Sequence, residues 1–218
     1  MTDIHPISFK IIPTLTELKA GYPGIKALFF DMDGTIFNTE PQHAEAFVQI
    51  GLEHKIRPPY SLEMVHELLV GKADHLVYEI IKSWEGFPKH WSARDFVETK
   101  NANLLKILET ADSSTFFPSL LQKLLKDARD QKFFIALVTS SEKVVTKRLL
   151  EISGLKDFFD LELTRDDCPK HKPDPWPYFE AKRISGFETN EIIIFEDSSV
   201  GLAAATATGA HVIKVEWH

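Results

Sequence analysis

Asp31-Met32-Asp33-Gly34-Thr35 follows directly on the apolar run Ala27-Leu28-Phe29-Phe30. A short hydrophobic segment ending in two carboxylates and a glycine reads as a buried parallel strand that delivers charge to its carboxyl end, where open α/β sheets bind ligands. Acids at i and i+2 would share one face of an extended strand, but a turn at Gly34 brings the second beside the first. One carboxylate can then attack while the other handles a proton, or both can help hold a divalent cation. An EF-hand reading fails, because Gln42 stands where a bidentate acid is required.

Three more segments place chemistry at the ends of predicted strands. Phe133–Val138 runs into Thr139-Ser140-Ser141 before a helix start, which suits an anion such as phosphate or a plain N-cap. Lys172 lies among Pro169, Pro173, Pro175 and Pro177, which would hold a surface lysine as a fixed cation. Ile192–Phe195 ends in Glu196-Asp197-Ser198-Ser199. Asp197 or Ser198 could cap the next helix. Yet two buried strands that both end in paired acids repel each other unless a cation lies between them.

The elements around these residues alternate as in α/β proteins. After Pro118 come a helix over 120–131, a strand over 133–138, a helix over 142–152, a strand over 159–163, a helix over 176–184, a strand over 192–195, a helix over 200–208 and a strand over 211–215. From 40 to 109 apolar residues recur only at helical spacing, as in Ala44/Phe47/Val48 and Leu104/Leu105/Leu108, and Gly and Pro divide the stretch into four or five helices. A crossover needs about a dozen residues, so this longer insertion is a second unit. Residues 1–24 read as one short helix near Leu15–Lys19 in an otherwise irregular preamble. The expected fold is a doubly wound Rossmann-like parallel sheet, 1–37 with 114–218, carrying an all-helical insert over 38–113.

At 218 residues, 44% hydrophobic and 26% charged, the chain has ample core material. Its net charge of −7 offers no electrostatic reason to bind nucleic acid or an anionic membrane. No apolar stretch reaches the length of a membrane span, and no secretory leader is read at the start. Cys168 is the one cysteine, so no intrachain disulfide forms, which suits a reducing cytoplasm. A monomer is expected. Cys168 and His171 lack a second pair at ligand spacing and read as structural.

Taken in order, DMDGT at 31–35, Thr139, Lys172 in KPDP and Glu196-Asp197 in FEDSSVG resemble the haloacid-dehalogenase-like superfamily from about residue 26 onward. The resemblance implies that Asp31 is the nucleophile and Asp33 the general acid and base. It implies that Thr139, with the Ser140 amide, holds the phosphoryl group, and that Lys172 balances charge. Mg²⁺ is then held by Asp31, the Asp33 carbonyl and Asp197, with Glu196 as an auxiliary acid. Dehalogenases of the superfamily lack an acid at the place of Asp33 and ion-pumping ATPases carry threonine there, so the resemblance points to hydrolysis of a small phosphomonoester. The insert resembles the helical cap of the β-phosphoglucomutase-like branch. On that resemblance His43 faces the active site, and Lys72 and Lys100 line the substrate. A sugar-phosphate mutase, or a non-catalytic binding module of the same fold, stand as alternatives.

Overall fold

The computed structural model describes residues 7–9, 12–69 and 74–216. The chain divides into two compact units, Met1–Asn38 with Ser113–His218, and Thr39–Asp112.

The first unit is built on six parallel strands: β1 (Ile7–Phe9), β2 (Ala27–Phe30), β3 (Phe134–Val138), β4 (Leu161–Leu163), β5 (Ile192–Glu196) and β6 (His211–Val215), in the order β1-β6-β5-β2-β3-β4. β2 sits between β3 and β5 and is buried along its whole length. Its continuous apolar run is therefore what the position demands, since both faces of a central parallel strand are covered. Ala27, Phe29, Ala136, Val138, Ile192 and Ile194 pack with Tyr178 and Ala181 of α8 (Trp176–Ser185) and with Ala204 and Ala205 of α9 (Ser199–Thr206). Leu28 and Phe30, which alternate with them, are equally buried, and Phe30 stacks on Phe195 at 4.5 Å. The remaining helices here are α1 (Leu15–Gly21), α6 (Ser119–Asp130) and α7 (Lys143–Ile152).

One expectation needs correction. The preamble is not irregular outside its helix: Ile7–Phe9 adds a sixth strand, paired with Ile213–Val215. Three residues are too few to show periodicity, so only the waiting edge of β6 reveals the strand.

Register fixes the site. Phe30 pairs with both Leu137 and Phe195, so Asp31, Val138 and Glu196 emerge at one level. The chain moves outward from β2 to β3 and β4, then returns to the other side of β2 for β5 and β6. That reversal makes a switch point at the carboxyl ends of β2 and β5.

The second unit holds α2 (Glu40–His54), α3 (Leu62–Leu69), α4 (Asp74–Ile81) and α5 (Ala93–Thr110). Its core joins aliphatic side chains such as Ile50, Val77 and Ile81 to a set of rings: Phe47 stacks on Phe96 at 5.9 Å, and Phe87 meets Tyr78 at 5.8 Å and Trp91 at 5.9 Å. Ser92 and Asp95 form a capping box that starts α5. No helix among the described residues is long and apolar enough to cross a membrane.

Candidate active site

A turn after β2 delivers the first acids. The Met32 carbonyl accepts from the amides of Ile36 (2.8 Å) and Phe37 (3.0 Å), and the Gly34 amide donates to the Phe37 carbonyl at 2.7 Å. Gly34 has φ +78°, and a Cβ there would overlap the Asp197 carboxylate, so only glycine closes this turn beside β5. Thr35, fully buried, donates from Oγ1 to Asp197 Oδ1 at 2.9 Å.

Lys172 is the centre of the site. Its side chain is 3% exposed, and Nζ donates to Asp31 Oδ1 (2.6 Å), Glu196 Oε1 (2.6 Å) and the Val138 carbonyl (2.8 Å). All three protons of the ammonium are thereby used. The Tyr178 ring lies 4.8 Å below it, and the Tyr178 hydroxyl donates to Glu196 Oε1 at 2.7 Å. Burial works against the charge on Lys172, but the carboxylates of Asp31 and Glu196 outweigh it and hold the ammonium protonated well above the usual lysine range. Asp31 moves the other way. Burial, reinforced by the neighbouring charges of Glu196 and Asp197, raises its carboxyl well above the usual range although Lys172 opposes this. Burial and Glu196 together push Asp197 up to about 6.

Asp31, Glu196 and Asp197 each offer a carboxylate oxygen within 4.8 Å of the others. Three acids against one lysine leave an excess of negative charge, and the donors are all oxygen. That set fits a small hard cation such as Mg²⁺. Glu196 differs from its two partners because both its oxygens are engaged by donors, Oε2 accepting from the Asp197 amide at 3.2 Å. A Cβ on Gly201 would overlap that carboxylate.

Beside β2, Thr139 extends the β3 ladder, its amide donating to the Leu163 carbonyl at 2.9 Å, and its Oγ1 accepts from the Ser141 amide at 3.0 Å. Ser140 is exposed at the same strand end. The Ser141 hydroxyl donates to Asp33 Oδ2 at 2.5 Å. Neither serine caps α7 through its side chain; Glu142 is the N-cap residue. Ser198 does cap α9, accepting from the Gly201 amide at 3.0 Å.

The first unit thus gathers Asp31, Asp33, Thr139, Ser140, Lys172, Glu196 and Asp197. The other three sequence candidates belong to the second unit. His43 lies half-buried in the first turn of α2, its amide donating to the Thr39 carbonyl at 2.9 Å. Lys100 is 2% exposed, with Nζ 3.1 Å from Asp74 Oδ2, 3.3 Å from Asn101 Oδ1 and 5.7 Å from the Phe47 ring centre. Lys72 lies outside the described residues. Sequence reasoning missed Tyr178 and the pairing of Ser141 with Asp33. Tyr178 reads as one more core aromatic of α8, and nothing in spacing links residues 33 and 141.

A model of the haloacid dehalogenase-like hydrolase family matches residues 25–209. The chain belongs to this family, and it is an enzyme of the hydrolase class. It is 28% identical over 198 residues to the fructose-1-phosphate phosphatase YqaB of Escherichia coli strain K12, covering 89% of this chain and 98% of that protein. It is 26% identical over 207 residues to a phosphoglycolate phosphatase of Thiobacillus denitrificans, covering 88% and 84%. CbbY from Rhodobacter sphaeroides, solved in complex with phosphate, shares the fold at a TM-score of 0.76, 23% identity and coverage of 89% and 87%. A beta-phosphoglucomutase from Clostridium difficile does so at 0.68, with 22% identity and coverage of 88% and 85%. The α/β fold is the family's.

Proposed function

We propose that this hydrolase is a phosphatase that releases inorganic phosphate from a small, sugar-phosphate-like monoester through an aspartyl-phosphate on Asp31. The observation that carries the reading is the buried Lys172 ammonium, shared between Asp31 and Glu196 at 2.6 Å each, at the sheet's switch point. A carboxylate that must approach a phosphate dianion needs fixed positive charge to offset repulsion, and here it is built in. The relatives that act on fructose 1-phosphate and on phosphoglycolate support the substrate class.

In this mechanism an Asp31 oxygen attacks phosphorus while the bond to the ester oxygen breaks. The leaving oxygen keeps that electron pair and takes a proton from Asp33. Water then attacks the phosphorus of the aspartyl-phosphate and gives a proton to Asp33, and the bond to Asp31 breaks to return the carboxylate and inorganic phosphate. Thr139 Oγ1 and the Ser140 amide hold the phosphoryl oxygens. Asp31, Asp197 and the Asp33 carbonyl would hold Mg²⁺, and Glu196, whose Oε1 accepts from both Lys172 and Tyr178, anchors that set. The bound cation supplies charge neutralisation at the phosphoryl oxygens. His43 and Lys72 stay in the proposal as residues of a substrate-selecting cap, whereas Lys100, paired with Asp74, supports the cap's own fold.

The test is phosphate release across a panel of phosphorylated metabolites with Mg²⁺ and with EDTA, by the native enzyme and by Asp31→Asn. The expected outcome is Mg²⁺-dependent turnover that falls by at least about 10³-fold in the variant, since nucleophilic charge and a metal ligand are lost together. Turnover near the native level in purified Asp31→Asn would overturn the mechanism.

A further inference from the structure

The Ser141 hydroxyl donates to Asp33 Oδ2 at 2.5 Å. We propose that this serine is a positioning residue for the general acid and base of the reaction, a role that rests on the phosphatase reading above. The two residues are 108 apart in sequence and meet because β2 and β3 are neighbours, with Phe30 level with Leu137. Ser141 is pinned through its main chain on both sides. Its amide donates to Thr139 Oγ1 at 3.0 Å, and its carbonyl accepts from the Arg165 amide at 3.0 Å. The loop that supplies Arg165 is tied back in turn, since Asp166 Oδ2 accepts from the Lys143 amide at 2.7 Å and Asp167 Oδ1 from Lys143 Nζ at 2.8 Å. With its backbone fixed and its side chain not spent on capping α7, the hydroxyl is directed to Asp33 Oδ2.

The main chain around Asp33 is equally constrained by the amide bonds to the Met32 carbonyl and by the Gly34–Phe37 bond. These bonds fix the main chain, and the Ser141 hydroxyl acts on the carboxyl rotamer. A general acid acts only within about 2.6–3.2 Å of the oxygen it protonates, so a rotamer error removes most of its contribution. Donation from Ser141 makes Oδ2 the acceptor in both protonation states, and the proton is carried on Oδ1. The bond thus helps to set the direction of the carboxyl and favours Oδ1 as the oxygen that delivers the proton.

A positioning role has a signature that a merely structural one lacks. A poor alkyl leaving group needs the proton and p-nitrophenolate hardly does. The experiment measures kcat and KM with Mg²⁺ for Ser141→Ala, Ser141→Thr, Asp33→Asn and the double variant Asp33→Asn/Ser141→Ala. Its substrates are p-nitrophenyl phosphate and whichever of fructose 1-phosphate, phosphoglycolate or glycerol 3-phosphate the native enzyme hydrolyses. Ser141→Ala should lower kcat on the alkyl phosphate by about 10-fold or more, lower it on the aryl phosphate by less than about 3-fold, and leave KM within about 2-fold. Ser141→Thr, which keeps the hydroxyl, should restore most of the loss. In the Asp33→Asn background the serine change should cost nothing further, because the group it positions is already gone. Equal losses on both substrates, a raised KM with kcat intact, or an undiminished penalty in the Asp33→Asn background would overturn the inference. Leaving-group bias in Asp33→Asn with none in Ser141→Ala would sink the Ser141 role alone. Absence of bias in Asp33→Asn would bring down the acid assignment, and the positioning role with it.

Discussion

Tyr178 shows how one side chain can serve the core and the site together. Its ring packs with Ala181, Ala204 and the β2 face, while its hydroxyl and π face bind Glu196 and Lys172. Burial, then the charges of Glu196 and Asp31, push its phenol well above the usual range, so it remains a donor at every working pH. Cys168 gives the opposite lesson. It is buried at the edge of the same cluster, and burial, with Asp167 nearby, pushes its thiol up to about 11. A raised thiol pKa favours the neutral form, so at pH 8 only about one molecule in a thousand carries the reactive thiolate. Iodoacetamide should therefore alkylate the native protein at pH 8 at least about 100-fold more slowly than the urea-unfolded chain, accelerating as pH climbs toward 11. Mass-spectrometric rates would check this, and equal rates in the two states would show that Cys168 is accessible and ordinary.

At the scale of elements, β2, β3 and β5 were legible because each is a short apolar run ending in polar residues, the pattern of a buried parallel strand. Alternation with helices pointed to β4 and β6, and helical spacing to the character of 40–109, but nothing pointed to β1, whose three residues declare themselves only through pairing. The paired acids stood out by residue type, whereas Thr139 and Lys172 were picked out by the family resemblance, since a lone threonine reads equally as an N-cap and a lone lysine as a surface charge. Neither route reached Gly201, which reads as an ordinary glycine in α9. There glycine costs about 1 kcal/mol of helix propensity relative to alanine. The cost is accepted because a Cβ would collide with the Glu196 carboxylate. Gly201→Ala should accordingly lower the thermal midpoint and cut kcat about 10-fold or more, since Glu196 must yield its bonds to Lys172 or Tyr178, and breaking a buried charge pair costs about 3–5 kcal/mol. Calorimetry and phosphate release measure both. A variant that is more stable and fully active would show that Glu196 can move without consequence.

For the molecule as a whole, the proposed aspartyl-phosphate has two possible acceptors, water or a second hydroxyl of the substrate. A mutase must shield that intermediate from water while a bisphosphate turns round and rebinds, and this needs a fixed cation to grip the remote phosphate. Three cations of the second unit are already engaged. Lys100 is buried and committed to Asp74, Asn101 and the Phe47 ring. Arg57 pairs with Glu85 at 3.4 Å and Arg94 with Glu98 at 2.7 Å, each with an exposed guanidinium. Drawing Lys100 out to a phosphate would leave a carboxylate of the helical unit without its counter-ion, a cost that phosphate binding would have to offset. On the phosphatase reading proposed above, water is the acceptor. Given β-glucose 1-phosphate with a trace of the 1,6-bisphosphate and Mg²⁺, the enzyme should release inorganic phosphate, or leave the sugar phosphate untouched, and should need no bisphosphate on its preferred substrate. Phosphorus NMR would follow both products, and glucose 6-phosphate accumulating faster than free phosphate would assign the chain to the mutases instead.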